Sequence, residues 1–189
     1  MTLQKPQRLS PSLLARKILC VAYVPKPFGE QERFRFQTLH AFSMIKVIAR
    51  HLRSGYRLTG IEQRGRGYII DLMFEAISTG RKRLNEVKSS KTIREVHRIQ
   101  AALYAGLPIH RNIDEVVVSN KENDEILNSY FIEDVHRRAE ITRKILESDP
   151  DAAATRYTPH EDICYTCANP DCPFRLRAPS NIEDLVKNR

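Results

Sequence analysis

No stretch of this 189-residue chain approaches the roughly 18–20 consecutive apolar residues of a membrane span. The closest, Ser12 to Val24, is interrupted by Arg16 and Lys17 and has no small-residue cleavage site. It reads as an amphipathic helix rather than a secretory signal. Lipidation motifs, internal repeats and low-complexity runs are also missing, so neither a lipid anchor nor a repeat architecture is expected. Cysteine is scarce, with four in all. Without a secretory signal the expected compartment is cytoplasmic. There thiols stay reduced, and clustered cysteines bind metal more often than they pair.

What is present describes an ordinary globular chain: 41% hydrophobic and 29% charged residues, with a net charge of +8. The length suits one domain with a real core. The basic excess favours a polyanionic partner such as nucleic acid. Ser10 and Pro11 form a helix start, cap then first turn, and predict a helix to about Leu19. Apolar residues at helical spacing predict a long helix from Glu30 to about Arg53. Tyr56–Glu62, Gly67–Ala76 and Arg81–Ser89 read as strands of an antiparallel meander separated by glycines. Thr92–Ala105 returns to helical spacing and is stopped by Gly106 and Pro108. Asp114–Ser119 reads as a buried strand and Asn123–Glu147 as a long helix with Asp124 and Glu125 in its first turn. After Pro150 the chain reads as loop, ending in a polar tail over 176–189. The fold class expected is α/β: a mixed central sheet flanked by helices.

The chemistry concentrates between Gly67 and Tyr104. Alternation along a strand sends Glu86 and Lys88 the same way and Val87 into the core. Asp71 lies toward the end of the neighbouring strand, so pairing would gather Asp71, Glu86 and Lys88 at one end of the sheet. Two carboxylates supply the hard oxygen ligands that Mg²⁺ or Mn²⁺ prefers. A lysine beside them can position water or neutralise charge on a phosphodiester. Taken alone, Glu-x-Lys is more often a solvated ion pair. Its company changes the weight: Gln100 and Tyr104 share a helix face at i, i+4, and His40 upstream offers an imidazole to the metal shell, with His51 as the rival. His97 and His110 read as bystanders. Arg64, Arg66, Arg81, Lys82, Arg83, Lys91, Arg94 and Arg98 crowd the same region and suit phosphate contacts, about half of them being ordinary solvated positions.

Cys164, Cys167 and Cys172 form a tight group, and Cys20 stands alone far upstream. Four thiolates suit a structural zinc or an iron–sulfur cluster that ties the two ends of the chain together, with disulfides as a third reading.

The order Asp, Glu-x-Lys, Gln-x-x-x-Tyr with an upstream His resembles the PD-(D/E)xK nucleases of the RecB-like branch. The lone N-terminal cysteine with a C-terminal triplet is similar to the nuclease region of AddB and to the CRISPR-associated Cas-four exonucleases. The segment Leu9–Cys20, with its Ser-x-Ser helix start, and the chain length both resemble the latter. This resemblance implies a restriction-endonuclease-like core, with 9–29 and 150–175 forming an iron–sulfur region in a single domain. It implies that His40, Asp71 and Glu86 bind Mn²⁺ or Mg²⁺, that Lys88 is catalytic, and that Gln100 and Tyr104 contact DNA beside it. Cys20, Cys164, Cys167 and Cys172 would hold a cluster, 4Fe-4S favoured over 2Fe-2S. The implied activity is a DNA exonuclease acting on single strands from the 5′ end in CRISPR adaptation, alongside integrase proteins. A non-catalytic iron–sulfur DNA-binding subunit, or a repair or viral nuclease outside CRISPR, are the alternatives. Three positions depart from the family pattern. Phe36 stands where a glycine precedes the histidine by four residues. Val21-Ala22 replaces Pro-Arg after the first cysteine. Four residues, not five, separate the last two cysteines.

Overall fold

The computed structural model describes residues 9–65, 67–107 and 112–174. Arg66, Pro108, His110 and the 176–189 tail, all part of the sequence reading, lie outside the described residues. The elements run α1 (Pro11–Leu19), α2 (Glu30–Arg53), β1 (Tyr56–Gly65), β2 (Tyr68–Ala76), β3 (Lys82–Val87), α3 (Glu95–Ala105), β4 (Glu115–Ser119), β5 (Asp124–Ile126), α4 (Ser129–Ser148) and α5 (Pro150–Thr155). A 3-10 turn over Cys164–Thr166 follows.

The five strands form one mixed sheet in chain order, β1-β2-β3-β4-β5. β1, β2 and β3 form the expected antiparallel meander. β3 and β4 run parallel, and the crossover between them contains α3, as a parallel pair requires. The sheet is covered on both sides. On one side α1, α3 and α4 pack around Ile70, Met73, Leu84, Val116 and Val118, joined by Leu14, Ile99 and Val135. On the other, Leu72, Phe74 and Val87 meet Val47 of α2. Strand alternation divides Met73 from Leu72 and Phe74, and Leu84 from Val87, which is why β3 is apolar or buried on both faces.

Local chemistry explains the helix ends. The Ser10 hydroxyl accepts the Leu13 amide at 3.3 Å, and Pro11 fills the first turn, as the sequence implied. Such a cap is worth about 1 kcal/mol. Two readings need correction. Asp124 and Glu125 do not open a helix: they belong to β5, an edge strand antiparallel to β4. The Asp124 carboxylate is held by the distant Arg50 and by the Ser119 hydroxyl of the neighbouring strand, at 2.9 and 2.5 Å, and these bonds outweigh local helix preference. The helix starts at Ser129, where the Asn128 side chain accepts the Phe131 amide. The segment after Pro150, read as loop, begins with α5, capped by Asp149. Among the described residues no helix is long and apolar enough to cross a membrane.

Candidate functional site

β2 and β3 separate at one end of the sheet, and that fork builds the site. Their ladder runs from Glu75–Lys82 to Leu72–Asn85 and stops there. One step further, the Val87 amide donates not to a backbone carbonyl but to Asp71 Oδ2, at 2.7 Å. Asp71 therefore takes a strand's place in the pairing with its side chain, which fixes the carboxylate and leaves Oδ1 for another partner. That partner is His40, one face of α2 reaching over the fork, with Nε2 3.2 Å from Oδ1. Asp71 is only 8% exposed.

The second half of the site lies on the α3 side. The Lys88 ammonium donates to Glu86 Oε1 and, at 3.1 Å, to the Gln100 side-chain oxygen. The Gln100 amide nitrogen in turn donates to the Tyr104 hydroxyl, also at 3.1 Å. The six residues thus fall into two short chains, His40–Asp71 and Glu86–Lys88–Gln100–Tyr104, and the Asp71 charge acts across the gap on Glu86. The i, i+4 spacing of Gln100 and Tyr104 does what helical geometry allows: it stacks them on one face, toward Lys88.

Electrostatics follow from burial. Glu86 is 2% exposed and its Oε2 has no hydrogen-bond partner among the described residues. Burial first, and the neighbouring Asp71 charge second, push its carboxyl up to about 7, against the opposing pull of Lys88. His40 is held above the usual imidazole range by its hydrogen bond to Asp71, with burial working against it. Burial also raises Tyr104, so its hydroxyl stays protonated and available to Gln100.

His51, the rival histidine, is structural. It is 1% exposed, lies stacked on Phe74 with ring centres 4.4 Å apart, and bonds the Val47 carbonyl at 3.0 Å. Burial keeps it below its ordinary value. His97 caps the Arg94 amide and is also held down by burial, to about 3. Phe36, one turn before His40, sits edge-on to Phe28 with ring centres 5.3 Å apart.

The cations around the site are less free than their number suggests. Arg83 and Arg81 pair with Glu115 at 2.6 and 3.4 Å, and Arg98 forks onto Glu125. Arg94 lies over the Tyr165 ring and donates to its hydroxyl. Such internal commitments narrow the surface left for phosphates to exposed positions such as Lys82 and Lys91.

The four cysteines are all unpaired, and all four line one small pocket with Tyr23, Thr158 and Ile163. Backbone amides point at three of the sulfurs: Thr158 at Cys20 (3.4 Å), His160 at Cys164 (3.2 Å) and Val24 at Cys167 (3.5 Å). A zipper of contacts holds the two segments together. Lys26 donates to the Thr166 carbonyl, Ala168 to Val24, and the buried Asn169 side chain to Ala22 at 2.8 Å. Asn169 and Lys17 were missed in the sequence. Lys17 is half-buried, lowered by that burial and opposed by the charges of Cys20 and Cys167. A lone Asn and a helix-end Lys carry no pattern that distinguishes them before the ends of the chain are brought together.

Both sites can be tested for a metal by their donor atoms. His40 Nε2 and Asp71 Oδ1, 3.2 Å apart, match the separation of about 3 Å between adjacent ligands of an octahedral ion with 2.0–2.1 Å bonds. Glu86 Oε2 is a buried carboxyl oxygen lacking a partner among the described residues. Among the described residues no three His, Cys, Asp or Glu side chains are already drawn into a ready-made ligand set. Lys88 holds Glu86 by Oε1, which leaves Oε2 for a cation. The residues fit a divalent cation at one site and a thiolate-bound centre at the other. Comparison with family models, curated proteins and solved structures returned no match.

Proposed function

We propose that the protein is a Mg²⁺- or Mn²⁺-dependent deoxyribonuclease with a PD-(D/E)xK core, whose four cysteines hold an iron–sulfur cluster. The observation that carries this is the convergence of His40–Asp71 with Glu86–Lys88–Gln100–Tyr104 around a buried, unpartnered Glu86 oxygen.

His40, Asp71 and Glu86 would hold the cation. When bound, it supplies Lewis acidity toward a phosphoryl oxygen and lowers the pKa of a ligated water. The remaining work belongs to the chain. The Val87 amide fixes the Asp71 carboxylate. Lys88 presents an ammonium to the charge that develops as water adds to phosphorus and the phosphorus–oxygen ester bond breaks. Gln100 orients Lys88, and Tyr104 orients Gln100. The net charge of +8 suits DNA, and single-stranded DNA cut from the 5′ end during CRISPR adaptation is the substrate and setting we favour.

At the second site, Cys20, Cys164, Cys167 and Cys172 would bind a 4Fe-4S cluster. The amides directed at three sulfurs support that reading, because hydrogen bonds to sulfur are a protein's means of tuning such clusters. The test is one preparation and two readouts. Protein purified without oxygen should be brown, absorb broadly near 400 nm, and degrade end-labelled single-stranded DNA only with Mn²⁺ or Mg²⁺ present. A colourless protein with stoichiometric zinc would reject the cluster, and cleavage unaffected by EDTA would reject the metal site.

A further inference from the structure

The outer face of α2 is unclaimed by the core. Phe34, Phe42, Ile45 and Leu52 are 72%, 59%, 61% and 50% exposed, the largest cluster of exposed apolar side chains on any one helix. They are not scattered. Phe34, Thr38, Ala41, Ile45, Ile48 and Leu52 recur at alternating steps of four and three residues, the spacing of a two-helix seam. Within that stripe only Ile48 also touches the core, packed partly against Val47 and its neighbours.

The stripe is complementary to itself. If a second α2 is laid antiparallel about a two-fold axis near Ser43, Phe34 faces Leu52, Thr38 faces Ile48 and Ala41 faces Ile45. Each layer then sets a larger residue against a smaller or differently shaped one, and no layer is left with two aromatic rings. A parallel pairing would instead set Phe34 against Phe34 and Ala41 against Ala41, a clash and a gap. Symmetric contact of one patch with its own copy is the commonest way soluble chains assemble.

The exposed parts of Phe34 and of Phe42, which flanks the stripe, amount to about 200–300 Å², and Ile45, Leu52 and the alanines bring this face to roughly 400 Å². That is at the level of the largest patches on monomers, which are often functional. It is about half of the ~800 Å² that each partner of a stable complex buries, so a pair would also have to bury the polar flanks of a helix about 36 Å long. We infer that the outer face of α2 is the interface of an antiparallel homodimer.

The same helix places His40 about 140° around its axis from Ile45. Pairing would therefore leave both candidate catalytic sites turned away from the seam. The dimer does not depend on the nuclease reading, and either can fail alone.

The test uses the full-length protein. Sedimentation equilibrium over a wide concentration range should give twice the chain mass. Ile45→Glu and Phe34→Glu should each give the monomer mass with an unchanged circular dichroism spectrum, while Ile45→Leu stays dimeric. Phe34 is so exposed that its change cannot unfold the chain, so a misfolded Ile45→Glu protein leaves the question decidable. Orientation is read by oxidation: the double variant Phe34→Cys with Leu52→Cys should cross-link between chains, and neither single variant should. A wild-type monomer at every concentration would overturn the inference. So would a dimer that survives both glutamates, or a Phe34→Glu protein that loses single-stranded DNA binding with no change in mass.

Discussion

Leaving a carboxylate oxygen buried without a partner costs on the order of 1–3 kcal/mol, more when it is charged. Glu86 meets that cost by holding its proton to about pH 7, well above the ordinary 4.5. The sign of the linkage follows. A folded-state value above the unfolded one gives stability that is complete below about pH 4.5 and lost as pH rises through 7. A divalent cation bound there would have to displace that proton, so its affinity would rise over the same window. We expect Mn²⁺ to raise the melting temperature more at about pH 8 than at about pH 6. Glu86→Gln should remove both the Mn²⁺ effect and its pH dependence, and an equal shift at the two pH values would count against the assignment. Lys88→Ala should slow cleavage by on the order of 10²–10³-fold while any cluster absorbance stays unchanged. The two histidines separate cleanly. His40→Ala should lose cleavage and keep its stability. His51→Ala, which empties a stacked position against Phe74, should lower the melting temperature through a cavity cost of a few kcal/mol.

At the scale of elements, a reader of the sequence could recover most of the frame. α2 was legible end to end because its apolar residues recur at helical spacing over 24 residues. The meander was legible because Gly67 and Gly80, both at positive φ, mark its turns. Asp71, Glu86 and Lys88 were legible because strand alternation assigns faces without tertiary knowledge. Two things were not. β5 is a three-residue edge strand whose composition favours a helix start; only Arg50, more than 70 positions away, and Ser119 decide otherwise. The fork at Asp71 was also hidden, because a side chain standing in for backbone in a ladder leaves no periodic trace. That substitution is testable. Asp71→Asn preserves shape, but its amide can present –NH₂ to the Val87 N–H and forfeit the bond. Slowed cleavage with faster hydrogen exchange at the Val87 amide is the expected pair of changes, and exchange at the wild-type rate would show that the fork does not depend on the carboxylate.

For the whole molecule, the two ends are held by few but well-placed bonds. Asn169 is 6% exposed and spans the cysteine segment to Ala22. Asn169→Ala should destabilise the protein by about 1–3 kcal/mol, the cost of stranding a buried carbonyl. It should also slow the return of colour when iron and sulfide are added back to stripped protein. Cys164→Ala should do more, costing colour and solubility together, since a centre bound by four thiolates contributes directly to folding. A soluble, colourless Cys164→Ala protein would separate the thiols from the fold.

The pocket that joins Cys20 to Cys164, Cys167 and Cys172 also imposes an order of events during synthesis. Roughly 140 residues separate the first thiol from the next, so a ribosome adding about 5–20 residues per second leaves Cys20 waiting on the order of ten seconds or longer. No centre needing all four sulfurs can be loaded until the last of them has emerged. Chains that stop before Cys172 would never be charged.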